Sequence, residues 1–168
     1  FRLFVDFLDW ALSDGGISNW SLAEIAGALY CSMDLQDRER IDRFVFGKGG
    51  AMDHLRAGVY SDGWWCECTI GYNQMAAGLF SEYTIALRPW GINIANWWVP
   101  AQYSNKVHFR NQHADGLCWD IYGENKRNYR SIEDLWDSLV AMANSRSVVQ
   151  GVNDSAEEIF QGASPVAF

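Results

Sequence analysis

Apolar residues recur at helical spacing in run after run of this chain, and most of the runs end at glycine or proline. Phe1, Phe4, Val5, Leu8 and Leu12 fall on one face of a helix over residues 1–12, because positions three and four apart share a side at 3.6 residues per turn. Asp14-Gly15-Gly16 breaks that run. Ser21-Leu22-Ala23-Glu24 has capping-box spacing and predicts an apolar helix running through Tyr30 and Cys31 to about Met33. Residues 36–46 place Ile41, Phe44 and Val45 inward against a charged face, and Gly47-Lys48-Gly49-Gly50 ends them. Residues 51–59 predict a short helix with His54 on its surface.

The pattern continues beyond the middle of the chain. Residues 73–87 carry Met75, Leu79, Phe80, Tyr83 and Leu87 at helical spacing and stop at Arg88-Pro89-Trp90-Gly91. A short apolar piece at 92–98 is stopped by Pro100, and residues 104–130 are mixed and loop-like. Ser131-Ile132-Glu133-Asp134 caps a further helix to about Asn144, and residues 151–155 form a loop. No segment reads convincingly as a strand. The expectation is an all-α single domain of helix pairs joined by Gly-rich loops, for which a solenoid or a closed toroid of hairpins would both serve.

The chain has 168 residues, 49% of them hydrophobic, which supplies a real core and argues against disorder. Residues 1–10 already read as a helix in progress and Pro165-Val166-Ala167-Phe168 stops without a polar tail, so a fragment of a larger protein is expected. No run of 18 apolar residues predicts a membrane span, and no basic n-region marks a signal peptide in this chain. A net charge of −8 removes the basic surface a nucleic-acid binder needs. A polyanionic substrate would need a locally basic site instead. Cys66 and Cys68 form C-x-C, which lacks zinc-site spacing, and no His pair completes a site, so no metal and no cofactor is expected. With Cys31 and Cys118 they read as small buried hydrophobes, with one long-range disulfide left open.

Aromatics reach 15%, with nine Trp, more than packing asks of a domain this size. The densest group lies in Ser61-Asp62-Gly63-Trp64-Trp65-Cys66-Glu67-Cys68-Thr69-Ile70-Gly71-Tyr72-Asn73, a turn signal followed by two indoles, a carboxylate and a phenol. Trp64, Trp65, Trp97, Trp98 and Trp119 are candidate platforms for a sugar face or candidate core residues. Tyr72 has a phenol able to take or give a proton, and otherwise reads as a core residue at a helix start. Glu67, set among Trp65, Cys66 and Cys68, wants a partner or a ligand. Asp62 reads first as a turn residue. Asn19 precedes a capped helix, where free N–H groups favour anions and a side-chain amide would add a donor; a turn or N-cap role is its commoner use. Residues 106–130 carry Lys106, Arg110, Lys126, Arg127 and Arg130 against Asp115, Asp120 and Glu124, a local +2 that also holds His108 and His113. This stretch is either the basic site for an acidic ligand or an ordinary solvated loop.

Taken together, these segments resemble the helical domain of the heparinase II/III-like and alginate-lyase group of polysaccharide lyases. Ser18-Asn19-Trp20 is similar to the family's Asn-His or Asn-Trp element at a helix start. Asp62-Gly63-Trp64-Trp65-Cys66-Glu67 followed by Gly71-Tyr72-Asn73 resembles its Asp-Gly-x-aromatic-x-Glu, then Gly-Tyr-His or Gly-Tyr-Asn, pattern. Asn153-Asp154-Ser155 is similar to a later loop, and 53 positions separate Asn19 from Tyr72 in agreeing order. The resemblance implies part of an incomplete (α/α) toroid, further domains in the parent chain, a secreted or periplasmic setting, and β-elimination on a uronate-containing polysaccharide. It implies that Asn19 neutralises the uronate carboxylate, that Tyr72 is base, acid or both, and that His108 or His113 assists. Trp20, Trp64, Trp65, Glu67 and Arg110 would contact the acidic polysaccharide; no nucleic acid or membrane partner is implied. Several members place His directly after the Asn; Trp20 stands there in this chain, and indole cannot accept a proton from carbon. Two other readings stay open: a glycoside hydrolase pairing Glu67 with Asp62 or Asp154, and a non-catalytic glycan-binding domain.

Overall fold

Helix α2 (Asn19–Asp34) is the hub of the structure, a computed structural model that describes residues 1–60, 62–102 and 129–143 and the backbone of short strands at 148–149 and 158–159. Leu22, Ile25, Ala28 and Leu29 repeat every three to four residues along it and are all buried. Three helices pack around it: α1 (Arg2–Leu12), α3 (Arg38–Phe46) and α5 (Ile70–Leu87). Helix α4 (Ala51–Gly58) follows α3 after a tight turn in which Gly49 has φ +69° and donates to Asp53. Helix α6 (Ile132–Met142) packs on α5. The described residues are thus mostly helical, as the apolar periodicity predicts.

Local chemistry explains most of the boundaries. Ser131 and Asp134 form the expected reciprocal capping box at the start of α6. Helix α5 ends in a 3-10 turn, Arg88–Trp90, closed by Gly91 at φ +74°. Helix α5 begins at Ile70 rather than at Asn73, because the Thr69 hydroxyl accepts the Tyr72 N–H and caps a turn that the sequence leaves as loop. In α1, Val5, Leu8 and Leu12 are buried as expected, whereas Phe1 and Phe4 face outward.

Two ladders of two residues each depart from the expectation that strands are absent: β1 (Val99–Pro100) pairs with β2 (Tyr129–Arg130), and β3 (Val148–Val149) with β4 (Glu158–Ile159), both antiparallel. Pieces this short are below the length at which alternation is visible in a sequence. Arg130 is buried and its Nε donates to the Val59 carbonyl (2.7 Å), which braces β2 against the end of α4. No described helix is long and apolar enough to cross a membrane.

Candidate functional site

The first turn of α2 has donors to satisfy, since the opening N–H groups of a helix lack partners within it. Ser18 is the N-cap: its hydroxyl accepts the Ser21 N–H (3.1 Å), and Ser21 Oγ accepts the Ser18 N–H (2.9 Å). The capping box therefore sits one turn earlier than Ser21–Glu24, with Ser21 filling the position that Glu usually takes. The Asn19 N–H donates to Glu67 Oε2 (3.3 Å). The Trp20 N–H is taken by the Asn19 side chain itself, at Oδ1 (2.8 Å). All three leading donors are occupied within the protein, so this terminus does not offer the free backbone N–H groups the sequence reading allows for. What it offers is the Asn19 Nδ2: with Oδ1 turned back onto the helix, the NH2 end points away and makes no hydrogen bond among the described residues. Asn19 is only 6% exposed.

Glu67 arrives from the segment between α4 and α5. Asp62 Oδ1 accepts the Trp64 N–H (3.2 Å), the turn role its Asp-Gly setting predicts. Gly63 adopts φ +84°, and a β-carbon there would collide with the Asp134 carbonyl oxygen at the start of α6. Trp65 is wholly buried; its ring lies parallel to that of His54 (centroids 6.3 Å, planes 7° apart), and its Nε1 donates to Glu67 Oε2 (2.9 Å). Glu67 is 8% exposed, so its carboxylate is a partner for two rigid donors. Cys68 turns the chain with φ +53°, and two residues later α5 begins, with Tyr72 half-buried in its first turn.

Two further polar clusters hold this segment. Asn73 is fully buried: Oδ1 accepts the Trp65 N–H (2.7 Å), and Nδ2 donates to Ser138 Oγ (2.8 Å) and the Leu135 carbonyl (3.3 Å). Ser138 Oγ reaches the Gly63 carbonyl (3.0 Å), so α6 clamps the loop from outside. On the other side, His54 is buried rather than on the helix surface as the sequence suggests. Its Nδ1 meets the Gly50 carbonyl (2.9 Å), which can only accept; Nδ1 therefore carries the proton and Nε2 accepts from Ser21 Oγ (2.8 Å). Burial pushes the His54 pKa down to about 4, against a smaller opposing pull from the Gly50 carbonyl and Asp53.

The structure thus brings Asn19, Trp65 and Glu67 into direct contact and starts the Tyr72 helix three residues after Glu67. Trp20 projects beside them at 75% exposure, and Trp64 is half-buried against the core. A buried Trp65 has no face left for stacking on a sugar; it holds Glu67 instead. His108, Arg110, His113, Trp119 and Asp154 lie outside the described residues. The roles of Ser21, His54, Asn73 and Ser138 escape the sequence reading because the Ser21–His54 and Asn73–Ser138 contacts span 33 and 65 positions. No three metal-ligating side chains converge among the described residues. Comparison with protein-family models, with curated proteins and with solved structures finds no match.

Proposed function

We propose that this chain is a polysaccharide lyase that cleaves a uronate-containing polysaccharide by β-elimination, on a partial (α/α) toroid belonging to a longer secreted or periplasmic chain. The observation that carries the reading is Asn19. It is held at the head of α2 with its amide oxygen occupied and its amide nitrogen without a hydrogen-bond partner among the described residues, on a terminus tied to the loop that launches Tyr72. That is a fixed neutral donor suited to a carboxylate.

The chemistry needs such a donor. The C5 proton of a uronate is poorly acidic while the adjacent carboxylate is charged, and a hydrogen bond to that carboxylate stabilises the enolate-like transition state. Asn19 Nδ2 supplies it. The Tyr72 oxygen removes the C5 proton, the C4–O4 bond breaks as the C4=C5 double bond forms, and the phenol returns a proton to the departing O4. With Trp20 following Asn19, this is a syn elimination in which one phenol serves both steps, or one in which His108 or His113 takes the first. Glu67, already holding two N–H groups, is less suited to the acid or nucleophile role that a hydrolase would ask of it.

Replacing Tyr72 with Phe tests the reading. Unsaturated uronate, followed by the ultraviolet absorbance of the new double bond, is expected from the wild type on at least one uronate polysaccharide, and a loss of about 100-fold or more in the variant. Undiminished product from Tyr72→Phe would remove Tyr72 from the reaction. A second reading, a non-catalytic glycan-binding domain, draws on the exposed Trp20 indole beside Asn19. Binding across a uronate panel with no unsaturated product would favour it.

A further inference from the structure

We infer that Glu67 is a positioning residue, which fixes the Asn19 amide against the helix that carries Tyr72; the inference rests on the lyase reading above. One oxygen, Oε2, accepts both the backbone N–H of Asn19 and the indole N–H of Trp65. The two donors come from parts of the chain 46 positions apart and neither is free to wander. The indole is buried flat against His54, and its own backbone N–H is held by Asn73. The Asn19 N–H belongs to the first residue of the central helix.

A carboxylate at this place also suits the positive end of the α2 dipole and satisfies a donor that is nine-tenths buried. Since Asn19 Oδ1 is fastened to the Trp20 N–H, the side chain cannot swing independently of the helix. The direction of Nδ2 is therefore set by where the first turn of α2 sits, and Glu67 sets that. Glu67 is also three residues from the start of α5, so a displacement here shifts Asn19 relative to Tyr72. Misplacements of an ångström are enough to cost about 100-fold in a reaction that depends on alignment.

Two substitutions separate geometry from charge. Glu67→Gln removes the charge but keeps an oxygen at the same reach, able to accept both N–H groups. Glu67→Asp keeps the charge but withdraws the oxygen by one methylene. Both are compared with wild type by amide hydrogen exchange at the Asn19 N–H and the Trp65 indole, by the shift of the Asn19 side-chain amide signals on titration with sodium glucuronate and a uronate oligomer, and by steady-state kinetics. Expected for Glu67→Asp are exchange at least about tenfold faster at the Asn19 N–H and kcat lower by about 100-fold with KM within about threefold. Glu67→Gln is expected to stay within about threefold of wild type in kcat. Asn19 protection and kcat that survive in Glu67→Asp, or a Glu67→Gln as impaired as Glu67→Asp, would overturn the inference. A wild type that yields no unsaturated uronate and shows no uronate-dependent shift at Asn19 overturns the lyase reading instead, and the exchange data still decide whether Glu67 holds the Asn19 N–H.

Discussion

His54 shows at the scale of one residue how much of this molecule is built on polar contacts inside the core. Its folded pKa of about 4 lies below the ordinary value of 6.5, so the unfolded chain binds the extra proton first as the solution is acidified. The contribution to stability is complete above about pH 6.5 and is lost as the pH falls through about 4. Urea unfolding should therefore show a loss on the order of 3 kcal/mol from this group between pH 7 and pH 4, beyond what the carboxylates contribute. His54→Gln should flatten that part of the profile, and an unchanged slope would show that His54 is not the titrating group. The sequence hides this residue. Asp53 and Arg56 flank it and give its helix a surface look, while the partner that justifies its burial, Ser21, is 33 positions away. Asn19 was legible as a candidate because a polar residue ahead of an apolar helix is a local signal. Its tie to Glu67 was not, since nothing in either segment points to the other.

Among the elements, capping and turn chemistry decide where helices begin, and these were legible where the signal is strong. Ser131 with Asp134 is such a case, and Ser131→Ala should cost about 1 kcal/mol of stability in thermal or urea unfolding. Helix α5 starts three residues before the Asn73 that the apolar spacing predicts, because Thr69 caps the turn that contains Gly71. The loop between α4 and α5 is held more tightly than any turn signal conveys. Gly63→Ala adds a methyl group against the Asp134 carbonyl at a backbone angle of +84°. It should destabilise by about 3 kcal/mol, combining left-handed strain with overpacking. A melting temperature equal to that of wild type would show that α6 yields at this contact. Gly58 is similarly constrained, since a β-carbon there would lie 2.6 Å from the Trp65 ring.

At the scale of the whole molecule, helical content follows from periodicity, but the central place of α2 does not, because amphipathic stripes say which face is buried and not which neighbour covers it. The attachment of α1 illustrates the energetics. Its inner face buries Val5, Leu8 and Leu12, while Asp6 and Asp9 pair with Arg40 and Arg43 of α3 at half-exposed positions. Leu8→Ala should cost about 3 kcal/mol through the cavity it leaves. Asp9→Ala should cost below about 1 kcal/mol, since such pairs are screened by solvent. Equal costs in urea unfolding would mean that the ion pairs, not the apolar seam, hold α1 in place. The joint around Gly63 also bears on which positions can vary. No side chain fits at that glycine, and the amide of Asn73 joins Trp65 to Ser138 across the loop. A variant that keeps the joint closed keeps Gly63 and Asn73. Gly63 and Asn73 are in that sense fixed by architecture, so a substitution at either reports on the joint before it reports on any chemistry.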